Sequence, residues 1–179
     1  MIIVDSIRNW FAANPDKKMF LWYALAFAAA VQLVAYLALP ELTAHYKIGF
    51  DGQKQRCLPW MIYITKIGDK SHLVRGEIVQ FRAAGIGFGL DGKNFIKFIA
   101  GVPGDTLTVK DRSAYVNGEY WGGLWLLRAL NKSATAYDRV IVVPPGYYLA
   151  MSVGMASYDG RYWGLIRDDQ IIGRSAPII

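Results

Sequence analysis

The sequence predicts a mainly β, antiparallel domain preceded by one N-terminal transmembrane helix. Met19–Leu39 is a stretch of 21 residues without a charge, close to the roughly 20 needed to cross a bilayer core. From Tyr46 onward the pattern switches to short β-rich runs bounded by Gly, Pro and Asp. Asn117-Gly118 supplies the positive φ that both central positions of a tight hairpin turn require. A chain of 179 residues holds one domain and an appendage rather than two full domains. Its composition, 54% hydrophobic and 19% charged with mean hydropathy +0.20, excludes a disordered polar chain and directs attention to a membrane segment.

Taken in order, residues 1–18 form an N-terminal segment on the cytoplasmic side. Ile2, Ile3, Val4, Ile7, Trp10 and Phe11 fall on one helical face there, which suits the inner leaflet or an ordinary short helix before the anchor. Within 19–39 only Gln32 is strongly polar, and Trp22, Tyr23 and Tyr36 suit the two interfacial belts. Pro40 marks the expected end of the helix. Arg8, Lys17 and Lys18 precede the span and Lys47 follows it, so the positive-inside rule places the N-terminus in the cytoplasm and the rest outside. A cleaved signal peptide would have an apolar core of about 7–15 residues and a small-x-small site. Leu39-Pro40-Glu41-Leu42 offers no such site, so the segment is expected to stay as an anchor.

Residues 46–179 form the outer domain. Its expected strands are 61–67, 77–82, 95–101, 106–110, 139–144 and 147–151, with a hairpin over 112–121. Leu124, Leu127 and Leu130, about one turn apart, predict a helical insertion over 122–132. The Gly-rich stretch 83–92 has no following Gly-Lys-Ser/Thr and reads as a connection between strands rather than a phosphate loop. Trp60, Trp121, Trp125 and Trp163 suit either an apolar membrane-facing surface or the core.

The net charge of +6 is scattered along the chain and never forms a basic run, so no nucleic-acid partner is expected. One cysteine excludes an intrachain disulfide, and one thiol with two histidines builds no cysteine zinc cluster, so neither metal nor cofactor is expected. A few polar residues stand inside apolar, strand-like surroundings: Cys57, Lys97, and the cluster Ser157, Asp159 and Arg161. Cys57 precedes a strand, at a turn that Pro59 would stiffen. It reads as a nucleophile or as a small buried hydrophobe. Lys97 interrupts Phe95-Ile96-Lys97-Phe98-Ile99, on the face of Phe95 and Ile99. Burial of this kind makes lysines into bases, whereas on an edge strand the same pattern is a snorkelling side chain.

These residues carry a resemblance to the signal peptidase I family of membrane-anchored serine/lysine proteases, and especially to its conjugative-transfer, TraF-like branch. Cys57-Leu58-Pro59 through Tyr63 is similar to that branch's Ser-x-Pro-x-Gly-x-Tyr, with Cys for Ser and Met61 for Gly. Arg75-Gly76-Glu77-Ile78-Val79-x-Phe81 resembles the family's Arg-Gly-Asp-Ile-Val-x-Phe. The segment from Phe95 through Lys97 to Pro103-Gly104-Asp105 resembles its lysine-base segment. Val116-Asn117-Gly118, Pro145-Gly146-Tyr147-Tyr148, the run Ser157 to Gly164, and Ile172 to Ile178 then follow in the family's order. The resemblance implies an antiparallel β fold at the outer surface of a bacterial inner membrane, single-pass, with the catalytic domain in the periplasm. It places Cys57 as nucleophile, Lys97 as general base, Ser157 as the group orienting the lysine, Asp159 and Arg161 as a brace, and Leu58, Pro59 and Trp60 beside the substrate. Its substrate would be a protein with a leader peptide, such as a pilin, and its partners the lipid bilayer and conjugation-apparatus proteins of a type IV secretion system. Gly160 stands where the family has Ser, and Ser152-Val153-Gly154 replaces its Gly-Asp-Asn.

Cysteine for serine changes the chemistry in a definable way. A free thiol ionises near 8.5, below a free lysine near 10.4, so such a pair can rest as thiolate and ammonium. A thioester would suit transfer to an amine, as in peptide cyclisation, as well as to water. The alternative is an inactive relative that serves as a structural component of the transfer apparatus.

Overall fold

The computed structural model describes residues 9–10, 12–53, 56–155 and 157–178. The chain divides into two compact units, Met1–Ala44 and His45–Ile179. The first is dominated by helix α1, Pro15–His45, which is long and apolar enough to cross a membrane. None of its residues is buried in protein, and Phe20, Phe27, Tyr36 and Leu37 are exposed around its circumference. A helix apolar on all sides and uncovered by protein matches lipid rather than water. Pro40 does not end it: the helix runs through the proline to His45. The proline forfeits its own helical N–H bond, toward the Tyr36 carbonyl, while one turn later Thr43 Oγ1 donates to the carbonyls of Leu39 at 2.8 Å and Pro40 at 3.1 Å. Of the face expected before the anchor, Ile2, Ile3, Val4, Ile7 and Phe11 lie outside the described residues.

The second unit is built from antiparallel strands: β1 Tyr46–Phe50, β2 Ile62–Ile67, β3 Ile78–Arg82, β4 Asn94–Gly101, β5 Thr106–Lys110, β6 Ser113–Val116, β7 Glu119–Gly123, β8 Arg139–Val142, β9 Tyr147–Met151, β10 Ile166–Arg167 and β11 Ile171–Pro177. They form a seven-stranded sheet in the order β1-β2-β11-β3-β4-β9-β10 and a four-stranded sheet in the order β7-β6-β5-β8. The mainly β reading therefore holds. β3 lies between β11 and β4 and is covered on both faces, with Ile78 to Phe81 all buried, Gln80 included. In β2 the alternation is strict: Tyr63 and Thr65 are buried, Ile64 and Lys66 exposed.

Leu107, Val109, Ala114 and Val116 of the smaller sheet, with Val143 just after β8, share one core with Leu149, Met151 and Tyr162. Val79, Phe81, Ile99, Ala150, Ile166 and Ile171 form a second core, and Leu58, Tyr63 and Ile78 a third. Trp121, Trp163 and Trp60 pack against these three cores separately, so the tryptophans make no common surface; Trp125 alone among the four is exposed.

The structure departs from the expectations further at 122–132 and in strands β1, β10 and β11, which the expected strands do not include. No helix spans 122–132: Gly122 and Gly123 finish β7, and 125–131 are consecutive turns with a single i to i+4 bond from Leu130 N to the Leu126 carbonyl. Paired glycines oppose helix nucleation, and the leucine spacing serves instead to drop Leu124 and Leu127 into the core. Strand β11, in the middle of the larger sheet, shows no β signature. Its Gly173 sits where a Cβ would overlap the Lys66 carbonyl oxygen, and Ser175 is used in a buried bond between its Oγ and Thr65 Oγ1 at 2.8 Å.

The hairpin at Asn117-Gly118 forms as expected, with φ of 52° and 83°. Asp105 joins it to the turn after β4: its carboxylate accepts from Asn117 Nδ2 and from Val102 N, each at 2.8 Å, while Asn117 Oδ1 accepts from Thr106 N. Burial alone would raise the Asp105 pKa, but these bonds and the nearby Arg75 charge hold it below the usual carboxylate range.

Two predictions follow from this packing. Gly173→Ala should cost about 3 kcal/mol or more, at the upper end for overpacking because the obstructing atom is backbone, measurable by denaturant unfolding of the detergent-solubilised chain. A carboxylate whose folded pKa is depressed contributes stability above its unfolded pKa near 3.9, lost as pH falls through the folded value. Asp105→Asn should therefore lower the melting temperature relative to the wild-type chain at pH 6 and converge with it near pH 2; a gap independent of pH would refute the assignment.

Candidate active site

β4 carries Lys97 into the interior, opposite Val79 of β3, and leaves its side chain 1% exposed. The strand lies between β3 and β9, so this is not a snorkelling lysine on an edge. Lys97 Nζ donates to Ser157 Oγ at 3.0 Å and stands 5.9 Å from the centre of the Phe95 ring. Among the described residues no carboxylate is paired with this amine.

Cys57 occupies the turn ahead of β2 as a half-buried free thiol. It lines a cleft of about 420 Å³ together with Lys97, Leu58, Tyr63, Gln80 and Ile96, with Asp51 and Lys93 also in the lining. That volume is within the usual range for a ligand site, roughly 300–1,000 Å³. Leu58 is thus brought to the cleft, whereas exposed Pro59 and half-buried Trp60 are not part of its lining. Trp60 instead packs on the third core and its carbonyl accepts from Tyr63 OH at 2.9 Å. A larger groove of about 470 Å³ beside Arg112, Trp125, Arg128 and Lys132 holds no nucleophile.

The loop from Ser152 to Ser157 joins thiol and amine. A Cβ at Gly154 would lie 2.9 Å from the Arg56 carbonyl oxygen and 3.4 Å from Cys57 Cα, so the loop backbone rests directly on that of the thiol. Three residues later Ser157, 1% exposed, meets Lys97. Asp159 and Arg161, both buried, hold this loop in place. Arg161 Nε and Nη2 donate to the two Asp159 oxygens at 2.9 and 2.7 Å, a two-point pairing. Arg161 Nη2 also donates to the Gly154 carbonyl at 3.1 Å and Nη1 to that of Gly123 at 3.0 Å, while Ser152 N donates to Asp159 at 3.0 Å.

Burial opposes the Arg161 charge, but the hydrogen bonds and charge of Asp159 outweigh it and the Arg161 pKa lies above its ordinary value. Burial pushes the Tyr63 phenol up, against the lowering effect of its bond to Trp60, so it enters the cleft as a neutral hydroxyl. Trp121 Nε1 donates to the Ser152 carbonyl at 3.1 Å, a support that the sequence reading misses because a tryptophan in a hairpin carries no signal of its distant partner. Gln80 is missed as well, although a polar side chain inside Ile78-Val79-Gln80-Phe81 meets the same test that singles out Lys97.

The arrangement brings a residue with a free thiol and a residue with a buried, serine-bound amine to one cleft. Comparison with known proteins is decisive on family. The model of signal peptidase, peptidase S26, matches residues 19–179. The chain belongs to this family. It is 34% identical over 107 residues to a probable signal peptidase I-2 of Synechocystis sp., a match covering 56% of this chain and 45% of that protein. It is 29% identical over 132 residues to signal peptidase IB of Staphylococcus aureus, covering 63% of this chain and 64% of that one. The matches thus span less than two thirds of either relative's length. A solved signal peptidase I from Enterococcus faecalis V583 overlaps with TM-score 0.39 at 23% identity, over 60% of this chain and 98% of that chain.

Breaking the buried pair from one side leaves an uncompensated charge or unused donors. Asp159→Asn and Arg161→Met should each cost about 3–5 kcal/mol in denaturant unfolding, and the double variant should lose less than the two single losses added. Simple additivity would show that the pair does not act as a unit.

Proposed function

We propose that this chain is a membrane-anchored endopeptidase that removes leader peptides from exported proteins, with Cys57 as nucleophile and Lys97 as general base. The observation that carries the reading is the shared cleft, which Cys57 and Lys97 both line, with the Lys97 amine held by Ser157. Family membership and the apolar helix α1 support it. Lys97 accepts the thiol proton as Sγ attacks the scissile carbonyl carbon. The oxygen gains charge in a tetrahedral intermediate, with the backbone N–H of Cys57 as one donor toward it. Collapse breaks the C–N bond, the leaving amine takes the proton from Lys97, and a thioester remains. Water, deprotonated by Lys97, then releases the acid and restores the thiol.

Ser157 orients the amine in this scheme, and the Asp159–Arg161 pair positions the loop that carries it. The site faces the periplasm, with the N-terminus in the cytoplasm, on the charge asymmetry around the span. The narrower reading, maturation of a pilin or another component of a conjugative secretion system, is supported by the similarity of Cys57-Leu58-Pro59 through Tyr63 to the TraF-like nucleophile motif.

The test is processing of a leader-bearing precursor pilin in membranes by the wild-type chain and by Cys57→Ala, Cys57→Ser and Lys97→Ala. Alanine at either position should slow processing by about 100-fold or more, while serine at 57 retains a fraction. Alkylation of Cys57 should block the wild-type chain and leave Cys57→Ser untouched. Equal processing by all four chains would overturn the mechanism and leave a structural component in its place.

A further inference from the structure

Gln80 is 5% exposed, lines the cleft with Cys57 and Lys97, and its Oε1 has no hydrogen-bond partner among the described residues. Arg139 Nε, Ser152 Oγ and Trp163 Nε1 are also without a partner among the described residues, but of these residues only Gln80 lines the cleft, and other buried polar side chains around it are satisfied. Thr65 and Ser175 bond each other, and Gln170 uses both ends, accepting from Arg167 N at 2.9 Å and donating to the Arg82 carbonyl at 3.0 Å. An acceptor left over at a cleft where peptide chemistry is proposed has the character of a recognition group.

Topology decides what can reach it. β3 is paired on one side with β11 and on the other with β4, so no peptide can add to its edge. Val79 and Phe81 point into the second core, and strand alternation turns Gln80 to the opposite face, beside its cross-strand partner Ile96, which also lines the cleft. A bound peptide therefore approaches Gln80 from the sheet face, with a side chain rather than with its backbone.

We propose that Gln80 is a specificity-determining residue, selecting substrates that present a hydrogen-bond-donating side chain, Ser, Thr, Asn or Gln, at the subsite formed by Gln80 and Ile96. The proposal deepens the peptidase reading and rests on it. A purely aliphatic side chain at this subsite leaves the buried carbonyl unpaired and binds more weakly, whereas a donor completes it.

The experiment uses the full chain in detergent micelles and leader-peptide probes in which each of the four residues before the cut is varied among Ala, Val, Ser, Thr and Asn. Cleavage by the wild-type chain is compared with that by Gln80→Met, which keeps the length of the side chain and removes the acceptor. At one position Ser, Thr or Asn should be favoured over Ala and Val by about tenfold in kcat/KM, and Gln80→Met should abolish or invert the preference. The same panel is scored for binding by fluorescence anisotropy to Cys57→Ala and to Cys57→Ala with Gln80→Met. Discrimination in binding without cleavage by the wild-type chain would sustain the subsite while the peptidase mechanism fails. Cleavage with the same preferences in both chains would overturn the subsite and leave the mechanism standing. Absence of any binding would overturn both. The melting temperature adds a control: Gln80→Met should match or exceed the wild-type value, and a clear drop would show that the amide is spent on the fold and overturn the proposal.

Discussion

Arg161 lies 1% exposed against the loop that meets Cys57 and Lys97, and a guanidinium is tolerated there only while its donors are used and its charge is answered. Asp159 answers it with both oxygens, and the same carboxylate accepts from Ser152 N. The remaining donors reach Gly154, which rests on Cys57, and Gly123, which ends β7 in the smaller sheet. A single ion pair therefore fixes the loop between thiol and lysine and ties it to the second sheet. Buried pairs are weak sources of stability compared with apolar residues of the same volume, so the value of this one lies in the geometry it imposes.

That geometry bears on the exchange of serine for cysteine. A hydroxyl surrenders its proton only during attack and demands a well-supported base, whereas a thiol ionises near 8.5 in its free state and demands less. The loop departs from the family pattern at Ser152-Val153-Gly154 and at Gly160, the positions expected to support the base. Under the proposed mechanism, a thiol nucleophile would tolerate these departures around the base better than a hydroxyl would. Gly160 is also constrained by packing, since a Cβ there would come within 2.8 Å of Leu149 and 2.9 Å of the Ala150 carbonyl.

Strands β2, β3, β4, β5 and β9 were legible because their burial follows from runs of β-branched and aromatic residues. β11 was not, because its polar residues are paid for at a distance: Arg174 pairs with Glu77 and Asp69, and Ser175 with Thr65, none of them near in sequence. The leucines of 122–132 have helical spacing for a reason other than a helix, namely that a series of turns lowers two of them into the core. Among site residues, Cys57, Lys97, Ser157, Asp159 and Arg161 stand out as polar groups in apolar surroundings, and the structure brings them to one loop and one cleft. Gln80 passes the same test but carries neither charge nor nucleophile, so local sequence gives no reason to separate it from a satisfied core amide. Its place in the cleft together with the lack of a partner among the described residues does so.

For the proposed peptidase the cleft is modest, and most of the binding of an extended peptide need not come from it. Where enzyme and substrate are both held by apolar helices in one bilayer, encounter is no longer three-dimensional, and effective concentration replaces much of the contact energy a soluble protease needs. The apolar α1 makes such confinement available to this chain. Discrimination between one membrane-held peptide and another then falls on the few side chains that line the cleft, because the tether favours all such peptides alike. Under that constraint a single buried acceptor carries more weight than its share of the surface: it adds little to affinity and much to the difference between affinities, which is the quantity that sets specificity.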